Sequence, residues 1–162
     1  MAAPQGQELA FAGFFVSHTL FDTGYCRQLI LPAIEAVVDR GFNQYVFMDY
    51  ENFGRGHTAD GSNAHVFANA YARDIERLLG ESQALFLVAS RAATRSQWVK
   101  YEVDWWVQNR PLEELTIIFR EACNPALLNP SIAQCLQFPM YDPEDLANAA
   151  ILSRRIGSFI SR

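Results

Sequence analysis

The chain has 162 residues, half of them hydrophobic and 13% aromatic, which excludes a disordered polypeptide and predicts one domain with a well-filled interior. A net charge of −5, with no run of lysines and arginines, excludes an extended basic face for nucleic acid and leaves room only for a local anion site. Residues Met1 to Glu8 lack the basic residues of a secretory signal and read as a flexible N-terminus ahead of a single domain over 9–162. The apolar run Leu9 to Val16 is too short to span a bilayer, so a cytoplasmic protein with no membrane contact is expected. Cys26, Cys123 and Cys135 are odd in number and widely spaced, and they read as buried thiols.

Phe11 to Val16 is almost wholly apolar, as a strand buried on both faces would be. Asp22 or Thr23 can cap a helix whose residues Cys26, Leu29, Ile30, Ala33 and Val37 keep helical spacing, with Pro32 predicting a kink or a late start. Gln44 to Met48 is a second strand, and Asp49 to Gly61 is a polar, glycine-punctuated loop of a length usually kept for function. A helix from Ser62 to Leu79 and a buried strand from Gln83 to Ala89 follow. Thr94 and Gln97 form a capping box for a third helix that ends near Pro111. Leu115 to Phe119 is a fourth strand, Glu121 to Gln134 is weakly patterned, Leu136 to Tyr141 is a short fifth strand, and Pro143 to Ile160 is a closing helix. Buried strands alternating with helices call for an α/β fold, with a parallel sheet covered on both faces.

On the third helix Trp98, Glu102 and Trp105 or Trp106 share a face. An aromatic beside a glutamate suits a flat cationic heterocycle next to developing positive charge, and the plainer alternative is that the stripe packs the core. His57 and His65 have no acidic or thiol companion at ligand spacing, so no metal site is expected.

Three blocks give the chain a family likeness. They are Phe14-Phe15-Val16-Ser17-His18 with Asp22; Val46-Phe47-Met48-Asp49 before a loop holding Gly54 and Gly56; and Leu85 to Ser90 followed by Ser96-x-Trp98-x-x-x-Glu102. In order and spacing they resemble the TIR (Toll/interleukin receptor homology) domain, of bacterial type, over nearly the whole chain. Departures are His18-Thr19, where many members carry an aromatic and a basic residue, and a longer, more polar stretch from Arg55 to Ser62. The resemblance implies a flavodoxin-like three-layer sandwich with a five-stranded parallel sheet in the order 2-1-3-4-5. It also implies a hydrolase, or a cyclase, that cleaves the nicotinamide–ribose bond of NAD⁺ as substrate, with no resident cofactor, in immune signalling such as antiphage defence. A non-catalytic scaffold working through TIR–TIR assembly is the alternative.

In a sheet of that order a ligand settles beyond the carboxyl ends of the first and third strands. Glu102 is then the catalytic carboxylate, with Ser17, His18, Ser90, Arg91 and Trp98 lining the crevice and Asp49, Phe53 and Arg55 reaching it from the long loop. Arg95 is a further candidate for the diphosphate. Expected partners are NAD⁺, further copies of the chain and a downstream effector that senses the nucleotide product. The rival readings are a flavodoxin, with Ser17 to Gly24 as a hydroxyl-rich phosphate loop, and a receiver or dinucleotide-binding domain. The last two lack an acidic pair and a G-x-G-x-x-G after the first strand.

Overall fold

The computed structural model describes residues 13–38, 46–48 and 75–160. Strand β1, Phe14–Ser17, pairs in parallel with β3, Ala84–Ala89; β3 pairs with β4, Leu115–Phe119; and β4 pairs with β5, Leu136–Pro139. Along the other edge of β1 the three residues of β2, Val46–Met48, add a short parallel pairing, giving the order β2-β1-β3-β4-β5. The inner strands are runs of aromatic and branched apolar residues, and every residue of β1 and β3 is buried. That composition suits strands covered on both faces. β5 lies at the edge, where Pro139 withholds no needed donor and most of the strand is exposed. Gly13 enters β1 at φ 114° and accepts a hydrogen bond from Gln83 N–H at 2.8 Å, a backbone shape that residues with a Cβ rarely adopt.

Helices cover both faces. Helix α1 spans 23–38 as an α turn, Thr23–Tyr25, a π-helical stretch, Cys26–Ile30, and an α-helix, Leu31–Val38. The π turn falls just ahead of Pro32, where the missing N–H and the ring would break a regular i→i−4 ladder, so the chain widens by one residue there. The other helices are α2, residues 75–81; α3, Arg91–Thr94; α4, Gln97–Asn109; and α5, Leu146–Ile160. The rest of the helix expected from Ser62 and the loop from Asp49 to Gly61 lie outside the described residues.

Alternation along the strands sorts the core into two layers. Phe14, Val16, Phe86 and Val88 pack with α1 and α5, and Phe15, Leu85, Leu87 and Ile117 pack with α2 and α4. Phe86 meets Phe14 at 5.8 Å and, edge-on, Phe159 at 6.1 Å. Each such pair contributes about 0.5–1.5 kcal/mol beyond the area it buries. On the other face Arg110 lies 4.5 Å over the Trp106 ring and donates to the carbonyls of Leu79, Gly80 and Ser82, so α4 holds the C-terminal end of α2.

Two local expectations are corrected. The helix expected to open at Thr94 opens instead at Ser96, and a separate short helix, α3, precedes it across a break at Arg95. The Ser90 hydroxyl accepts from Ala93 N–H to cap α3, and the Ser96 hydroxyl accepts from Val99 N–H to cap α4. Thr94 instead donates its hydroxyl back to Arg91 C=O. The weakly patterned segment contains two 3₁₀ turns, Pro125–Leu127 and Pro130–Gln134, each opened by an Asn-Pro pair whose Asn side chain accepts a backbone N–H.

Candidate active site

Because Phe15 faces α2 and α4, the alternation of β1 turns Ser17 to the same side, toward α4. Glu102 sits two turns into α4 on the face that also buries Trp98, Val99, Val103 and Trp106. Its side chain leans toward the helix N-terminus and so reaches the carboxyl end of β1. There the Ser17 hydroxyl donates to Glu102 Oε1 at 2.6 Å, with Ser17 fully buried and Glu102 1% exposed. In this conformation Glu102 is enclosed, so contact with a ligand requires a neighbouring segment to move.

The loop that follows β1 is held from several directions. His18 is 5% exposed and its Nδ1–H donates to Val16 C=O at 3.2 Å, because a carbonyl can only accept. Asp22, 1% exposed, accepts from the Thr19 hydroxyl at 2.8 Å, the Ser90 hydroxyl at 2.7 Å and Arg120 Nη1 at 2.6 Å. Arg120 also donates to Phe21 C=O at 3.1 Å. Ser90 thus serves two neighbours, donating to Asp22 while capping α3. Nearby, the Tyr25 hydroxyl donates to Met140 C=O at 2.6 Å, and burial pushes its titration up.

Of the residues expected to line the crevice, Ser17 and Glu102 are in contact, and Ser90 holds Asp22 in the loop after β1. Arg91 is exposed; its backbone N–H donates to the Glu121 carboxylate at 2.8 Å, so an anion at the opening of α3 would have to displace an acidic side chain. Arg95 is exposed as well. Trp98 is 4% exposed and stacks on Tyr101 at 5.6 Å and 15°, so the packing reading of the aromatic stripe describes this conformation. Tyr101 donates its hydroxyl to the Glu76 carboxylate, and burial, with Glu76 beside it, raises its pKa. Asp49, Phe53, Arg55, His57 and His65 lie outside the described residues. Asp22 stood in the sequence as a helix opener and as part of the first family block; its clasp depends on Ser90 and Arg120, 68 and 98 positions away.

Among the described residues no group of three His, Cys, Asp or Glu is placed to hold a metal ion, and no helix is long and apolar enough to cross a membrane. A groove of about 770 Å³ lies at the opposite end of the sheet, before β4 and β5, lined by Glu113, Cys135, Leu136, Gln137 and Arg155. No protein-family model and no curated protein matches this chain.

Proposed function

We propose that the chain is a TIR-like domain of flavodoxin-like topology that cleaves NAD⁺ at the nicotinamide–ribose bond, with Glu102 as the catalytic carboxylate. The observation that carries this reading is the buried Ser17–Glu102 pair at the carboxyl end of β1, beside the point where the chain reverses its direction of strand addition between β1 and β3. Parallel sheets of this order take ligands outside the carboxyl ends at that point.

One carboxylate suffices for the chemistry. Nicotinamide leaves NAD⁺ as a neutral molecule, so no general acid is needed, unlike the alkoxide departure of ordinary glycosides. Glu102 acts either by stabilising oxocarbenium-like charge at the anomeric carbon or by bonding to it as a transient ester. Water then yields ADP-ribose, nicotinamide and a proton; attack by an adenine nitrogen yields a cyclic product instead. Entry of NAD⁺ requires Glu102 to be uncovered, and self-association of copies is the proposed trigger. An immune-signalling role, with an effector that senses the product, extends the same reading.

The test is incubation of concentrated protein with NAD⁺ and mass spectrometry of every product, beside Glu102→Gln. The Gln variant keeps shape and loses charge, so turnover should drop by about 100-fold or more while the fold is retained. Turnover within a few-fold of wild type removes Glu102 from the mechanism. A second reading, a non-catalytic assembly domain, draws on the enclosure of Glu102, which is 1% exposed. It predicts no nicotinamide release at any concentration and particles in light scattering that grow with concentration.

A further inference from the structure

We infer that Ser17 is a positioning residue, which fixes the Glu102 carboxylate for attack or charge stabilisation, and not a contact for the substrate. The inference rests on the NAD⁺-cleaving reading above.

Three observations carry it. First, the Ser17 hydroxyl has a single proton, and at 2.6 Å that proton is committed to Glu102 Oε1. A sugar hydroxyl or phosphate in the crevice therefore finds no donor at Ser17 unless the carboxylate is released. Second, Ser17 is fully buried within a strand paired on both sides, opposite Leu87 in β3, so the direction of its Cα–Cβ bond is set by the sheet rather than by a loop. Third, the residues just after it are pinned by a separate set of bonds. Asp22 is clasped by Thr19, by Ser90 from the end of β3 and by Arg120 from the end of β4. The carboxylate is thus referenced through Ser17 to the rigid middle of the sheet. A carboxylate on a helix side chain has three rotatable bonds, and one fixed oxygen removes most of that freedom. Misplacement of a reacting group by about 1 Å costs on the order of 100-fold in rate.

Steady-state kinetics on wild type, Ser17→Ala, Ser17→Thr, Glu102→Gln and the double variant Ser17→Ala/Glu102→Gln separate the possibilities, with thermal unfolding recorded for each. Ser17→Ala should lower kcat roughly 10- to 100-fold with KM within about twofold. Ser17→Thr, which keeps the hydroxyl, should recover most of kcat. The double variant should be no slower than Glu102→Gln alone, because the serine acts only through the glutamate. A rise in KM at unchanged kcat, an unchanged kcat in Ser17→Ala, or additive losses in the double variant overturns the inference. If Ser17→Ala does not fold, an active, folded Ser17→Thr supports the hydroxyl's role, and a folded but inactive one overturns it. Absence of turnover in wild type overturns instead the reading on which the inference rests.

Discussion

Glu102 and Asp22 are buried carboxylates on two sides of one loop, and their partners differ in kind. Glu102 accepts from the hydroxyl of Ser17, whereas Asp22 accepts from two hydroxyls and a guanidinium. Arg120 is 41% exposed in its side chain, so water weakens its share of the clasp, while the hydroxyls of Thr19 and Ser90 are enclosed. Asp22→Ala should therefore destabilise by about 3 kcal/mol, since it leaves two buried donors without their acceptor. Arg120→Met should cost only about 1 kcal/mol. Urea unfolding of both variants checks the ranking, and equal losses would mean that the arginine, not the hydroxyls, dominates. None of this was legible from residue types. Ser17 and Glu102 stood out through the family resemblance and, for Glu102, through the tryptophans on its helix face, but the acceptor role of Asp22 needs the register that brings Ser90 and Arg120 to it.

At the scale of elements, the parallel α/β sheet was legible wherever apolar residues run consecutively, as in Ala84–Ala89, because only burial on both faces tolerates such a run. Helix starts were less so. Ser90, Thr94 and Ser96 all offer hydroxyls within seven residues, and which of them caps is decided by where the chain bends at Arg95. Stability should follow the structure: Ser96→Ala is expected to cost about 1 kcal/mol and Thr94→Ala less than about 0.5 kcal/mol. Thermal or urea unfolding resolves the two, and the reverse order would restore Thr94 as the cap. The two Asn-Pro turns went unread for a related reason, since hydrophobic periodicity is blind to segments whose order comes from side-chain to backbone bonds.

For the whole molecule, the described interior sets a boundary in pH. Burial pushes the thiols of Cys123 and Cys135 up to about 11, with Glu121 and Asp22 adding to the rise at Cys123 and Glu113 at Cys135. Burial raises the Tyr25 hydroxyl in the same direction. A folded value above the unfolded one means a contribution that is complete below about pH 9 and lost as the pH climbs toward 11. The unfolding free energy should be level on this account from pH 7 to about 9 and decline beyond it. The same rise leaves less thiolate than in the unfolded chain, so a thiol reagent at pH 7.5 should label Cys123 and Cys135 more slowly in the native protein than in urea. Fast labelling of Cys123 would show that its surroundings are more open than the structure describes.

The Ser17–Glu102 bond also has a consequence for biosynthesis. Its two ends are 85 positions apart. At the usual ribosomal rate of about 5–20 residues per second, the serine is made roughly 4–17 s before the glutamate that it will hold. Through that interval Phe15 has no α4 to shelter it, and the strand lacks its β3 neighbour for nearly as long. Translation speed between Ser17 and Glu102 therefore sets how long this strand, with the serine at its end, waits for the partners that enclose it.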